Sequence, residues 1–223
     1  MYLFVIRHTE SEKNVNDDFA SEKDLEPLTE KGTNNSAEIA THLAEFIKRK
    51  SLVSKKIYTA NSIRSKETAK EIANRLNLEL CVEESLRSIK PGDLKGKSKQ
   101  EAKDSHPEYM QQYYLFEKGL FNSYDFKSPE NKESKKDFEN RVNSCVDRII
   151  SDESENAKII VAHRSSITTM LLEFAKKYHN YPILFSGHVL LDLGNVSVLK
   201  REENGTWNIL KVNEKINEII NDL

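Results

Sequence analysis

The chain has 223 residues, enough for one sizeable hydrophobic core, and its 34 basic and 36 acidic residues give a net charge of −2 at neutral pH. This balance lacks the basic excess of nucleic-acid-binding proteins, and no apolar stretch approaches the roughly 20 residues that cross a bilayer. The two cysteines, Cys81 and Cys145, form no C-x-x-C pair. We therefore expect neither nucleic-acid nor membrane partners, and no disulfide.

The first element is an apolar run at residues 2–6, which predicts a buried strand ending at Arg7 and His8. The run is too short for a secretory signal, has no basic segment before it and leads directly into candidate site residues. We therefore expect a cytoplasmic protein. A fixed cation beside an imidazole suits the binding and attack of a phosphoryl group.

Two further apolar runs end close to cationic or imidazole side chains. Residues 57–60 lead to Arg64 at a helix start, and residues 158–162 end at His163. Open α/β sheets bind their ligands at the carboxyl ends of the strands. The pattern therefore predicts that Arg7, His8, Arg64 and His163 meet at one edge of a sheet.

The remaining pattern alternates helices with these strands. Apolar residues recur at helical spacing near residues 37–47, 63–76, 138–150 and 167–178, and again at 216–223. Residues 196–198 and 207–212 predict two late strands joined by a turn at Asn204-Gly205. These elements predict an α/β three-layer sandwich, in which helices flank a mostly parallel central sheet, formed as a single domain over residues 1–223.

Residues 97–135 differ from the rest because they are polar yet rich in aromatic side chains. The rings belong to Tyr109, Tyr113, Tyr114, Phe116, Phe121, Tyr124 and Phe126. This composition predicts a helical cap insertion packed over the site. The alternative is an ordinary helical pair that seals one edge of the sheet.

Several motifs follow one another in a characteristic order. They read R-H-[G/T]-E-x-x-x-N at residues 7–14, L-T-x-x-G at 28–32, R-x-x-x-T-A at 64–69, E-S at 133–134, R-V at 141–142 and strand-His at 161–163. In composition and order they resemble the histidine phosphatase superfamily, also called the phosphoglycerate mutase-like family. The resemblance spans residues 2 to about 199 and implies that the insertion at 97–135 covers the pocket and sets substrate choice.

The resemblance implies a role for each site residue. His8 is the nucleophile, whose neutral imidazole attacks phosphorus and forms a phosphohistidine, and Arg7, Arg64 and His163 assist the transfer. The candidate phosphate-binding residues are Arg7, Asn14, Arg64, His163 (as a donor when protonated) and Arg164, which begins a helix. Because the positive charge comes from protein groups and no metal-ligand spacing occurs, we expect no metal ion and no cofactor.

One position departs from the family. The family commonly has L-x-E, whose Glu protonates the leaving oxygen and later activates water, but this chain has Ser88 there. Either Asp93 or Glu84 substitutes, or the substrate has a leaving group that needs little protonation, or the protein is a weak enzyme or a phosphate-ligand sensor. We favour Asp93 as the catalytic acid because it lies in a glycine-flanked turn.

The predicted function is therefore hydrolysis of a phosphomonoester, a small phosphorylated metabolite, by a metal-independent histidine phosphatase. One alternative is a cofactor-dependent phosphoglycerate mutase, although that branch normally keeps the Glu and is somewhat longer. The other is a weakly active or non-catalytic protein that binds a phosphorylated ligand. The sequence specifies neither the natural substrate nor the oligomeric state.

Overall fold

The central element of the computed structural model, which describes residues 1–16, 25–117, 129–178, 189 and 191–223, is a six-stranded sheet. Its strands are β1 (Tyr2–Arg7), β2 (Lys56–Thr59), β3 (Glu79–Val82), β4 (Ala157–Ala162), β5 (Val196–Arg201) and β6 (Trp207–Glu214). Their order is β3-β2-β4-β1-β5-β6. β1 to β4 run parallel to one another, whereas β5 is antiparallel to both of its neighbours.

Helices cover both faces of this sheet. In the described part of the chain they are α1 (Glu12–Val15), α2 (Glu30–Arg49), α3 (Ile63–Leu76), α4 (Lys99–Ser105), α5 (Pro107–Glu117), α6 (Lys135–Ser151), α7 (Arg164–Tyr178) and α8 (Ile216–Asp222). Apolar side chains of α2, α3 and α8 pack on one face, and those of α6 and α7 pack on the other. The predicted three-layer α/β sandwich is thus confirmed.

Strand periodicity determines which side chains enter which layer. In β1, Leu3 and Val5 pack toward α6 and α7, whereas Phe4 and Ile6 pack toward α2 and α3. Successive residues of a strand point to opposite faces, so a strand buried on both sides is apolar at every position. This explains why residues 2–6 form a continuous apolar run rather than an alternating one.

The elements predicted from apolar spacing are present, with two differences. The turn at Asn204-Gly205 joins β5 to β6 as expected, with Gly205 at φ +84°. The edge strand β3 was not predicted, because its apolar run, Leu80-Cys81-Val82, has only three residues and they are half-buried or exposed. The helix α1, with only four residues, was not predicted either.

Within the predicted cap insertion at 97–135, α4 and α5 pack against each other. They enclose a small apolar cluster formed by Leu94, Ala102 and Tyr109, separate from the two clusters on the sheet. Residues 118–128, which include Phe121, Tyr124 and Phe126, lie outside the described residues. The covering role of this insertion stays a prediction.

The L-T-x-x-G motif places the start of α2 against the backbone of Glu10. Thr29 donates its N–H to the carbonyl oxygen of Glu10 at 3.1 Å, and its Oγ1 accepts the N–H of Gly32 at 3.0 Å. A Cβ at Gly32 would lie 1.9 Å from that same carbonyl oxygen. Only glycine fits this close approach, which fixes α2 beside the end of β1.

We predict that Gly32→Ala destabilises the protein by about 1–3 kcal/mol, because the added methyl group must displace backbone atoms. The gain of about 1 kcal/mol in helix propensity does not offset this clash. Thermal unfolding followed by circular dichroism should show the midpoint falling by about 2–4 °C for each kcal/mol. The control is Lys48→Ala, an exposed change in the same helix that should stay within about 0.5 kcal/mol of wild type. Equal stability of the Gly32→Ala variant and wild type would contradict the packing described here.

Candidate active site

The imidazole of His8 lies at the carboxyl end of β1 in a defined tautomer. Its Nδ1–H donates to the carbonyl oxygen of Thr9 at 2.8 Å, and because a carbonyl only accepts, the proton is on Nδ1. The lone pair is therefore on Nε2, which accepts a hydrogen bond from Nε of Arg64 at 3.3 Å. A buried ring with its Nε2 lone pair beside a guanidinium is oriented for attack on a phosphoryl group.

Arg64 reaches this point from the first turn of α3. Ser62 caps that helix by accepting the N–H of Ser65, which places Arg64 at the edge of the sheet. Its side chain is 4% exposed and forms an ion pair with Glu26 at 3.4 Å. The sequence analysis did not identify Glu26 as a site residue.

His163 follows β4 and completes the pair of imidazoles. Its ring centroid lies 5.3 Å from that of His8, with the two planes at 68°, and its Nε2 lies 3.4 Å from Oγ of Ser62. Since β4 is the direct parallel neighbour of β1, adjacency in the sheet explains why the two histidines meet. The prediction that His8, Arg64 and His163 converge is thus met by the geometry.

Arg7 lies close enough to His8 for its charge to lower the pKa of that ring, and Arg7 and Asn14 are both held by hydrogen bonds. Nη1 of Arg7 donates to the carbonyl oxygen of Leu191, and the backbone of Arg7 bonds to Gly194 and Asn195 in the turn before β5. Oδ1 of Asn14 accepts from both the N–H and the Oγ of Ser11. These bonds orient the amide group of Asn14, whose Nδ2 carries the donors that the phosphate-binding prediction requires.

A buried network of hydroxyl groups ties Arg64 to the end of β1, beside His8. Thr68 Oγ1 donates to the carbonyl oxygen of Arg64 at 2.8 Å and accepts the N–H of Thr9 at 3.2 Å. Thr9 Oγ1 also lies 2.8 Å from Oγ of Ser36 in α2. The Thr residues of two separate motifs therefore hold β1, α2 and α3 together directly behind the site.

Ser88, at the position where the family has Glu, lies beside the start of α7. Its Oγ is 3.0 Å from Oγ of Ser165, two residues beyond His163. Glu133 and Arg141 hold the Ser88 segment: Arg141 donates to the carbonyl oxygens of Ser85, Arg87 and Ser88, and its Nε bonds to Glu133 at 2.6 Å. The E-S and R-V motifs thus form a clamp under this segment.

The clamp has a consequence for the charge of Glu133. Burial raises the pKa of the Glu133 carboxyl, but hydrogen bonds from Arg141 and Arg87 outweigh it and lower that pKa from 4.5 to about 2. A carboxyl whose pKa is lower in the folded than in the unfolded protein stabilises the fold at pH values above its unfolded pKa of 4.5. That stabilisation is lost as the pH falls from 4.5 toward 2. The clamp is therefore ionised and intact at neutral pH.

The two carboxylates proposed to replace the missing Glu are each bound to the side-chain amide of an asparagine. Asp93 is exposed, and its Oδ1 accepts a hydrogen bond from Nδ2 of Asn131 at 3.0 Å. Glu84 accepts from Nδ2 of Asn61 at 3.0 Å and has a side chain that is 67% exposed. Among the contacts of the described residues, none joins Asp93 to His8 or His163, so its catalytic role stays a prediction.

Both imidazoles are neutral at physiological pH. Burial lowers the pKa of His8 well below 6.5, and the nearby Arg64 and Arg7 lower it further. Burial also lowers the pKa of His163 well below 6.5, with Arg64 contributing. Lys13, which the sequence analysis did not select, lowers the pKa of both rings and thus adds a further cation to the site. The expected donor role of His163 therefore requires an anion that restores its proton.

Two features of other protein classes are absent from the described part of the chain. No group of three or more His, Cys, Asp or Glu side chains there is arranged to hold a metal ion. Nor does any described helix combine the length and apolar character needed to cross a membrane. Arg164 begins α7 with its side chain half-buried, and its phosphate-binding role stays a prediction.

Comparison with known proteins decides the family. The family model for the histidine phosphatase superfamily (branch 1) matches residues 3–215. A protein from Hydrogenobacter thermophilus named "Putative phosphoserine phosphatase 2" is 30% identical over 165 residues, which is 74% of each chain. The chain belongs to the histidine phosphatase superfamily. The predicted family and enzyme class are confirmed.

Solved structures support the fold of this histidine phosphatase. A mycobacterial glucosyl-3-phosphoglycerate phosphatase in complex with VO3 superposes with a TM-score of 0.76 at 18% identity, covering 96% of this chain and 99% of the other. The alpha-ribazole phosphatase from Shigella flexneri has a TM-score of 0.72 at 20% identity and covers 96% of each chain. At these identities the likeness is one of fold.

We predict that His8 and His163 titrate below pH 6.5 when the imidazole protons are followed by NMR, because burial and Arg64 disfavour the charged rings. In urea, all histidines should titrate near 6.5. Since the unfolded chain then binds protons that the native protein does not, the free energy of unfolding should decrease as the pH falls below 6.5. Added vanadate should raise the midpoint of His163. Midpoints at or above 6.5 without the anion would refute this electrostatic description.

Proposed function

We propose that this histidine phosphatase hydrolyses a small phosphomonoester through a phosphohistidine at His8, without a metal ion. The observation that carries the proposal is the tautomer of His8, whose Nδ1–H is bound to the carbonyl oxygen of Thr9 while Nε2 lies beside Arg64. This arrangement gives a neutral nucleophile next to the cation that its phosphoryl substrate needs.

In the first step, the Nε2 lone pair of His8 forms the N–P bond while the P–O bond to the leaving group breaks. Arg64, Arg7 and the amide of Asn14 donate to the phosphoryl oxygens and stabilise the negative charge that spreads over them. The bound dianion also raises the pKa of His163, so that its ring becomes a further donor. In the second step, water attacks phosphorus, the N–P bond breaks with its electron pair returning to Nε2 of His8, and the proton lost by the attacking water passes to a phosphoryl oxygen of the released phosphate.

The leaving group determines how well the first step proceeds. The hydroxyl of Ser88 is a poor proton donor at neutral pH. The side chain that it contacts, Ser165, is also a hydroxyl and not a carboxylate. Substrates whose leaving groups are acidic, such as aryl and acyl phosphates, need little protonation. We therefore propose that the enzyme favours such leaving groups unless another carboxylate, with Asp93 as our sequence-based choice, provides the proton.

The relatives act, by their names, on small phosphorylated metabolites, which supports the same substrate class for this chain. A phosphoglycerate mutase is less well supported, because Ser88 also removes the carboxylate which that branch normally keeps. The cytoplasmic location expected from the sequence stays a prediction.

We predict that His8→Ala abolishes turnover of an aryl phosphate while far-UV circular dichroism shows an intact fold. The reason is that the nucleophile is lost, whereas β1 remains buried on both faces. Wild-type enzyme quenched during turnover should carry acid-labile, alkali-stable phosphate, and its rate should survive a strong chelator. His106→Ala, which replaces a histidine bound to Ser105 in the insertion, is the control and should keep the wild-type rate. Turnover by His8→Ala, or a rate that a chelator removes and a divalent metal restores, would exclude the proposed mechanism.

We also predict that aryl phosphates are cleaved much faster than alkyl phosphates. Ser88→Glu should raise the alkyl rate selectively, by up to the roughly 10²–10⁴-fold that a positioned general acid supplies. The measurement is kcat for an aryl and an alkyl ester with each variant. If wild type already cleaves alkyl phosphates well, and Asp93→Asn removes only that activity, Asp93 is the acid. Indifference of both substrate classes to both substitutions would leave the leaving-group proposal unsupported.

A further inference from the structure

Glu26 is a carboxylate inside the site that the catalytic proposal does not use. Its Oε2 lies 3.4 Å from Nη1 of Arg64, while Nε of the same guanidinium donates to Nε2 of His8 at 3.3 Å. The Arg64 side chain is 4% exposed and that of Glu26 is 23% exposed. One guanidinium thus links the nucleophile to a partly buried carboxylate.

The backbone around Glu26 is anchored to both elements of the site. The carbonyl oxygen of Pro27 accepts the N–H of Glu12 at the start of α1, at 3.0 Å. The N–H of Leu28 donates to Oε2 of Glu67 at 2.8 Å, and Glu67 lies one turn beyond Arg64 in α3. The segment that carries Glu26 is therefore bound to the helix that carries Arg64, which fixes the carboxylate relative to the guanidinium.

The contact between Arg64 and His8 has to change during the reaction. Nε–H of Arg64 donates to the lone pair that must attack phosphorus, so this hydrogen bond blocks the nucleophile as long as it persists. Phosphoryl oxygens are charged acceptors and form stronger bonds to a guanidinium than a neutral ring nitrogen does. When they take over the Nε–H, the guanidinium loses its bond to His8, while its ion pair with Glu26 remains available as an anchor.

We propose that Glu26 is this anchor, a positioning residue that holds Nη1 of Arg64 while its Nε–H passes from His8 to the substrate. The proposal rests on the phosphohistidine mechanism proposed above. Glu26 acts through Arg64 and exchanges no proton with the substrate. A guanidinium held at one end keeps its planar, bidentate presentation to two phosphoryl oxygens, and displacement by about 1 Å costs about 10²-fold in rate.

The test replaces Glu26 by Ala and by Gln and measures kcat for an aryl and an alkyl phosphate. We expect Glu26→Ala to lower kcat about tenfold to a hundredfold on both esters. The reason is that loss of the anchor displaces Arg64 from the phosphoryl group, which both esters share. Glu26→Gln keeps an oxygen acceptor and should restore most of the rate. Glu12→Gln, an exposed change that removes one negative charge in α1, is the matched control and should leave kcat unchanged. If Glu26→Ala does not fold, Glu26→Met keeps the side-chain stem and serves in its place.

A double-mutant cycle with Arg64→Lys separates positioning from other roles. Lysine has no Nη1 to hold, so Glu26→Ala should change kcat less than twofold in that background. Additive losses would overturn the proposal, as would a loss confined to alkyl esters, which would make Glu26 a proton donor. Tighter binding of the ester by the Glu26→Ala variant with an unchanged kcat would overturn it too, because Glu26 would then only compete with the phosphoryl group for Arg64.

Binding of inorganic phosphate by the same four proteins, measured by calorimetry, tests the contact without turnover. Coupled effects of Glu26→Ala and Arg64→Lys on the dissociation constant would support the positioning role even if the His8→Ala experiment excluded the phosphohistidine. Independent effects on binding would reject the positioning role even if the phosphohistidine were trapped. The two proposals can therefore fail separately.

Discussion

The site depends on keeping a lone pair on Nε2 of His8 among several cations. Two features of the fold secure it: burial and Arg64 lower the pKa of the ring, and the carbonyl oxygen of Thr9 binds the proton on Nδ1. The carbonyl group of Thr9, two residues past the end of β1, is available because the strand stops at Arg7. The tautomer of the nucleophile is thus a direct consequence of where β1 ends.

The cations of the site come from elements whose positions relative to one another are fixed by buried hydrogen bonds. Arg7 is the last residue of β1, and Arg64 reaches the site from the capped start of α3. The network of Thr9, Thr68 and Ser36 fixes these elements at van der Waals and hydrogen-bond distance, and every member is fully buried. Buried hydroxyl groups that are all hydrogen-bonded favour one arrangement over others, because each alternative leaves a polar group without a partner.

Much of this could be predicted from the sequence because the signals are local. The continuous apolar run of β1 and the helical spacing in α2, α3 and α7 each follow from period and length. Three strands end close to cationic or imidazole groups. Because the carboxyl ends of parallel strands lie at the same edge of a sheet, these groups are predicted to meet there. The edge strand β3 could not be found in this way, since its run of three apolar residues, Leu80-Cys81-Val82, is too short to distinguish a strand. Pairing with β2, rather than local sequence, determines it.

Glu26 and Lys13 were missed for a different reason. Each is one charged residue among 70 in a chain whose surface is expected to be charged, and neither lies in a distinctive spacing. Their positions follow from tertiary contacts, such as the bond from Leu28 to Glu67 that brings the Glu26 segment to α3. Asp93 was selected because its glycine-flanked turn is locally suggestive, and its catalytic role stays a prediction. Gly92 has a positive φ and packs against the backbone of residues 130–132, so the turn also has a structural reason.

Ser88 changes the electrostatics of the pocket as well as its proton chemistry. A carboxylate at this position would lie beside Ser165, two residues beyond His163, and its negative charge would favour the protonated form of any imidazole close to it. Burial and the charge of Arg64 lower the pKa of His163 well below 6.5, and the neutral Ser88 adds no negative charge that opposes them. We therefore expect Ser88 to favour binding of a phosphoryl dianion, because it adds no negative charge to the site, and to disfavour protonation of the leaving group, because a hydroxyl is a poor proton donor.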